Sequence, residues 1–98
     1  MISLKPLRTF WEQYPDAEDP LRHWYKTTTR AQWNSLQETR KDYPHADGVR
    51  TKRSGTLTVF NICGNKYRLI ARIRYDYKLV NVRHVLTHDE YDEGNWKE

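Results

Sequence analysis

Long hydrophobic runs are missing from this 98-residue chain, and so is a second cysteine. No stretch approaches the ~18–20 apolar residues of a membrane-spanning helix, and the opening residues lack the basic and apolar sections of a secretory leader. A cytoplasmic protein with no membrane partner is therefore expected. Cys63 has no intramolecular partner, which excludes a disulfide framework. Within TVFNICG it reads as a small buried apolar residue rather than a nucleophile. Glycine is scarce, and neither a P-loop nor a dinucleotide fingerprint is present. Internal repeats and low-complexity tracts are absent too. The apolar share is low at 37%, but four Trp and seven Tyr supply large packing area per residue. A chain of this length makes one domain, residues 1–98, with one small core.

Acid is the other scarcity, and it is local. Residues 1–49 hold seven Lys/Arg and seven Asp/Glu, which cancel. Residues 50–83 hold nine basic side chains (Arg50, Lys52, Arg53, Lys66, Arg68, Arg72, Arg74, Lys78 and Arg83) against Asp76 alone, a balance of +8. Residues 84–98 set Lys97 against five acids, a balance of −4. A neutral front half followed by a basic block points to a polyanionic partner bound by the back half.

Leu4, Leu7, Phe10, Trp11 and Tyr14 recur at helical spacing, and Pro15 stops the pattern, so residues 4–14 read as a first helix. Asp16 and Asp19 resemble the start of a second, whose buried face is Ala17, Leu21, Trp24, Tyr25 and Thr28. A short third helix carrying Trp33 and Leu36 is expected to end before Tyr43–Pro44. After Gly48 the period changes. TLTVFNICG is a β-branched strand, GNK a turn, and KYRLIARIRYDY alternates: Tyr67, Leu69, Ala71, Ile73 and Tyr75 on one face, Lys66, Arg68, Ile70, Arg72 and Arg74 on the other. A turn at Asp76-Tyr77-Lys78 leads to a last strand, LVNVRHVL. Such neighbouring segments pair as an antiparallel meander, giving an α+β fold with helices on the apolar face and an exposed basic face opposite.

Strict alternation puts Arg83 on the basic face and His84 on the core side with Val82. Either the strand bulges or ends there, or His84 is a packed structural histidine. His88 and Tyr91 fall beyond the strand, after Thr87, a candidate cap for a short terminal turn containing Asp89 and Glu90.

A sheet face bearing Arg68, Arg72, Arg74 and Arg83 suits phosphate, because guanidinium offers a permanently charged planar donor fork. With RNA as ligand, the 2′-hydroxyl attacks the adjacent phosphorus, given a base, an acid for the 5′-oxygen, and cations for the anionic transition state. Histidine supplies the first two near neutral pH and arginine the third. His84, His88, Tyr91, Arg68 and Arg83 provide every group required with no metal and no cofactor. The HVLTH spacing would suit zinc on a helix, but HExxH is absent and Asp89 is the one third ligand nearby. Residue chemistry alone does not separate an RNA-cutting enzyme from an RNA-binding module.

FNICGNKYRLIARIRY and VRHVLTHDEYDEGNW, following FWEQYPDAEDPLRHWYK, resemble the HigB family of bacterial type II toxin–antitoxin toxins, within the RelE-like mRNA interferase superfamily. The resemblance covers nearly the whole chain and is weakest at GVRTKRSGT. It implies a RelE/ParE-like fold, an endoribonuclease cutting mRNA on the ribosome, and neutralisation by a HigA-like helix-turn-helix antitoxin. By that resemblance Arg68 matches the arginine that contacts the scissile phosphate and Tyr91 the C-terminal active-site tyrosine, which orients the nucleotide or stacks on a base. His84, His88 and Arg83 occupy the histidine-rich segment, with His88 as base or acid and the arginines steadying charge. Asn65 and Lys66 would contact the RNA backbone. The alternative is a non-catalytic relative on the same scaffold, a gyrase-inhibiting toxin or an RNA-binding regulator.

Overall fold

The computed structural model describes residues 2–53 and 55–97. The elements run α1 (Lys5–Gln13), a 3₁₀ turn (Pro15–Ala17), α2 (Glu18–Arg30), α3 (Leu36–Asp42), β1 (Asp47–Thr51), β2 (Gly55–Ile62), β3 (Tyr67–Arg74), β4 (Leu79–Thr87), α4 (His88–Glu93) and a final 3₁₀ turn (Asn95–Lys97). The α+β expectation holds.

Pro6 sits in the first turn of α1, where its missing N–H costs nothing, and Leu7, Phe10 and Trp11 form the buried stripe. Pro15 pushes Tyr14 out of helical geometry and ends the helix. Helix α2 carries Glu18 and Asp19 in its first turn and Arg30 in its last, each charge complementing the helix dipole. It buries Leu21, Trp24 and Thr28. In α3, Ser35 caps the helix by accepting from the Glu38 amide. Trp33 precedes α3 rather than lying on it. Its ring stacks on Phe60 while Nε1 donates to Asp42 at 2.8 Å, so the residue belongs to the core but not to the helical period.

The four strands form one antiparallel meander in the order β1-β2-β3-β4. Strand β1 escaped the sequence reading because only Val49 of its five residues packs against a hydrophobic cluster. The helices cover one face of the sheet, where Trp24, Leu7, Leu21, Phe60 and Leu69 are fully buried.

Two expectations need correction. Cys63 is only half-buried: it opens the β2–β3 turn with φ at 55°, and its thiol points at the Asp16 carbonyl, 3.9 Å away. The other is the exposed basic face. Leu57, Val59 and Ile70 form a second apolar cluster on that side of the sheet, covered by Trp96, with Val49, Leu86 and Tyr91 around it. Isolated apolar residues within a basic strand gave no hint that the chain's last segment folds back to shield them.

The strand ambiguity at His84 is resolved by a bulge. Ala71 pairs with Val82 and Ile70 with His84, so Arg83 is the extra residue of β4. Facing residues of an antiparallel pair share a side, which puts Val80, Val82 and Val85 towards the helices and His84 and Leu86 on the Arg68 side.

Candidate active site

Three local structures meet at one end of the sheet: the Cys63–Lys66 turn, the bulged end of β4, and α4. The turn comes first. A Lys66 N–H bond to the Cys63 carbonyl closes it at 3.2 Å, and Gly64, at φ 65°, takes the left-handed backbone there. Directly after it Arg68 turns its guanidinium back, Nη1 donating to the carbonyls of Asn65 (3.0 Å) and Tyr67 (3.2 Å). Across the strands Arg68 faces Asn61 on β2 and Leu86 on β4. Among the described residues Nε and Nη2 of Arg68 have no hydrogen-bond acceptor, so that side of the fork remains for a ligand.

Helix α4 begins where β4 ends, through a reciprocal capping box. Thr87 Oγ1 accepts from the Glu90 amide at 3.2 Å, and Glu90 Oε1 accepts from the Thr87 amide at 3.0 Å. The helix is anchored to the turn by the His88 amide, which donates to the Lys66 carbonyl at 3.2 Å. Gly94, at φ 79°, ends it and lets the chain reverse. The reversal stacks Trp96 on Tyr91, with ring centroids 5.2 Å apart and planes 15° from parallel, and Trp96 Nε1 donates to the Tyr91 carbonyl at 3.0 Å. The guanidinium carbon of Arg68 lies 5.3 Å from the Tyr91 ring centre, a cation–π contact.

Arg68, Tyr91 and His88 therefore sit together, and the bulge adds His84 on the same face. His88 is half-exposed, and its Nδ1 lies 3.0 Å from the Asp92 carboxylate one turn later. With Nδ1 donating to Asp92, Nε2 is the nitrogen left for chemistry. Asp92 was missed because it read as one more acid in an acidic tail. The signal was there: a Thr-x-x-Glu box starts a helix at His88 and so places His88 and Asp92 four apart on one face. Trp96 and Asn61 were missed as well.

The remaining candidates are arranged differently. Arg83, the bulge residue, is exposed. Arg72 and Arg74 share the Arg68 face but lie towards the opposite end of β3, about 13 and 20 Å along at ~3.3 Å per residue. They cannot converge with Arg68 on one phosphate. Arg74 is also 3.5 Å from Asp76 and stacked over Tyr77. The Asn65 side chain accepts from Asn61 at 3.4 Å. Lys66 is engaged away from the site: its ammonium donates to Asp16, which also accepts from the Tyr67 hydroxyl at 2.7 Å. Those two donors hold the Asp16 carboxyl below its ordinary value, the Lys66 bond first. Asp16 in turn raises Lys66 and Tyr67 above theirs. His84 belongs to β4 and His88 to α4, so they are not the helical pair that zinc would use.

Comparison with known proteins agrees with this architecture. Residues 17–94 match the family model described as HigB toxin, the RelE-like toxic component of a toxin–antitoxin system. The mRNA interferase HigB of Escherichia coli O6:H1 strain CFT073 is 27% identical over 93 residues, 95% of this chain and 88% of that protein. The mRNA interferase toxin HigB of Escherichia coli strain K12 is 27% identical over 92 residues, 94% of this chain and 86% of its own length. The chain belongs to the HigB family of RelE-like toxins of toxin–antitoxin systems.

Proposed function

We propose that this protein is an endoribonuclease toxin that cuts mRNA, engaged on the ribosome, by attack of a 2′-hydroxyl on the neighbouring phosphate. The observation that carries the reading is that the β4 bulge puts His84 on the Arg68 face of the sheet while the helix bearing His88 starts against the turn that holds the Arg68 guanidinium. The names of the relatives, mRNA interferases, support it.

In this mechanism the scissile phosphate lies against the open side of the Arg68 guanidinium. One imidazole removes the 2′ proton as O2′ bonds to phosphorus, and the P–O5′ bond breaks. The departing 5′-oxygen takes a proton from the second imidazole, leaving a 2′,3′-cyclic phosphate and a 5′-hydroxyl. His88 Nε2 and His84 divide the two transfers, each of which contributes about 10²–10⁴-fold in well-placed cases. Asp92 holds the His88 ring in place. Arg68 and Arg83 offset charge growing on the phosphate oxygens. Tyr91, its ring fixed by Trp96, orients the nucleotide. Arg72 and Arg74 follow the strand beyond the cut, and Asn65 contacts it near the turn. Lys66 reaches the backbone only by leaving Asp16. The step requires no metal. The antitoxin is a helix-turn-helix protein that covers part of this basic side.

Inducing the parent, His88→Ala and Arg68→Ala in cells and mapping mRNA 5′ ends tests both layers. New ends are expected with the parent and not with either variant. Growth arrest without new ends rejects the nuclease, whereas equal cutting by all three rejects the site.

A further inference from the structure

We propose that Asp16, which lies in the helical layer and bonds Lys66 and Tyr67 but neither Arg68 nor His88, is a positioning residue that fixes the β2–β3 turn beneath Arg68 and His88. This inference rests on the nuclease reading above and adds to it the device that holds the two halves of the site in register.

Asp16 is the middle residue of the 3₁₀ turn joining α1 to α2. That turn is itself rigid, because Ala17 buries completely and its amide bonds the Tyr14 carbonyl at 2.9 Å. From there the Asp16 carboxylate reaches across some fifty residues of sequence. One oxygen accepts from the Tyr67 hydroxyl and the other from the Lys66 ammonium. The Asp16 carbonyl faces the Cys63 thiol. Three of the five residues from 63 to 67 thus converge on one acid. The Tyr67 ring is locked independently, packed edge-on to Phe10 at 5.1 Å and near Tyr14 at 5.5 Å.

The same short segment presents its backbone to the other side. The Asn65 and Tyr67 carbonyls hold the Arg68 guanidinium, and the Lys66 carbonyl holds the His88 amide at the start of α4. The Arg68 guanidinium and the start of the helix that carries His88 are therefore bonded to backbone that Asp16 immobilises through side chains. A six-residue helix has little stability of its own, so its place depends on such tethers. Without the carboxylate, Lys66 and the Tyr67 hydroxyl lose their common acceptor and the turn gains freedom. Arg68 and His88 then shift relative to each other, although neither has been altered.

The test compares the parent with Asp16→Ala and with Tyr67→Phe, which removes one of the two donors and leaves the ion pair. RNA cleavage is measured alongside amide hydrogen exchange. In Asp16→Ala, kcat is expected to fall about tenfold or more because geometry is lost, while KM stays at or below the parent's because the freed Lys66 can only add to binding. The amides of Lys66 and His88 should exchange about tenfold faster while those of Leu69 and Val85, inside the ladder, stay protected. Tyr67→Phe should show smaller changes in the same direction. A merely structural role would instead lower the ladder protection of Leu69 and Val85 together with kcat. That pattern, parental kcat, or unchanged exchange at His88 each overturns the proposal. Where Asp16→Ala does not fold, the isosteric Asp16→Asn takes its place. If the parent itself cuts no RNA, the nuclease reading fails, and exchange at Lys66 and His88 alone decides whether Asp16 holds the turn.

Discussion

Val82 and His84 are two residues apart in one strand yet face opposite sides of the sheet. In a regular strand they would share a side. Arg83 between them is the inserted residue, and it converts a histidine due for the core into one opposite Ile70 on the Arg68 face. Deleting Arg83 restores continuous pairing without moving His84, Leu86 or the valines to new faces. The deletion is therefore expected to fold with a melting temperature at or above the parent's, and to cut RNA at least about tenfold more slowly because one cation and the local twist are lost. Failure to fold, read by circular dichroism, would contradict the assigned register.

Asp92→Ala separates chemistry from stability. An exposed pair four apart on a helix contributes only about 0.3–0.5 kcal/mol, so the melting temperature should barely change. The His88 ring loses its orienting partner, and kcat should fall about ten- to hundredfold. A parental kcat would remove Asp92 from the mechanism.

Arg68→Lys keeps the charge but not the fork or the ring contact with Tyr91. Cleavage is expected to drop about hundredfold, as when one fixed transition-state donor is lost. RNA affinity, measured by titration at several salt concentrations, should change far less and keep a steep salt slope. Equal losses in affinity and rate would mean that Arg68 only binds.

Trp96→Ala removes a nearly fully buried side chain from the second cluster. Thermal unfolding should show a loss of about 3 kcal/mol, the lower range for a large aromatic truncated in a core. Tyr91 then loses its stacking partner, so cleavage should fall even where the protein is still folded.

Stability should respond to pH at the Asp16 cluster. The folded Asp16 carboxyl titrates below its unfolded value of 3.8, so its contribution is complete above 3.8 and disappears as acid brings the pH through the lower folded value. Lys66 is raised above 10.5, so its contribution is complete below 10.5 and is lost as the pH rises beyond the folded value. The difference in melting temperature between the parent and Asp16→Ala should be flat between these limits and shrink in acid. A difference unchanged below pH 3.8 would show that the carboxylate is not the stabilising form.

Helices α1 and α2 and strand β3 were legible because their apolar residues obey a single period. Leu7, Phe10 and Trp11, or Tyr67, Leu69 and Ala71, announce a buried face directly. Strand β1 was not legible, since Asp47, Gly48 and Arg50 carry no alternation and the strand is held by its ladder to β2. Arg68, His88 and Tyr91 could be named from residue type and resemblance, but why they meet could not. The meeting depends on an extra residue in β4, on a turn pinned from the helical layer, and on Trp96 returning across the sheet. Each is a contact between segments that sequence periodicity does not register. Arg72 and Arg74 show the converse: sharing a face with Arg68 in the pattern did not put them within reach of the same phosphate.

The bulge has one more consequence. Among the described residues strand β4 pairs only with β3, so it forms an edge of the sheet. Uninterrupted, such a rim invites self-association into larger sheets. The kink at Arg83 breaks the rim's regularity and places a charge there, two means by which edge strands resist joining. The residue that turns His84 outward also helps keep the protein from aggregating.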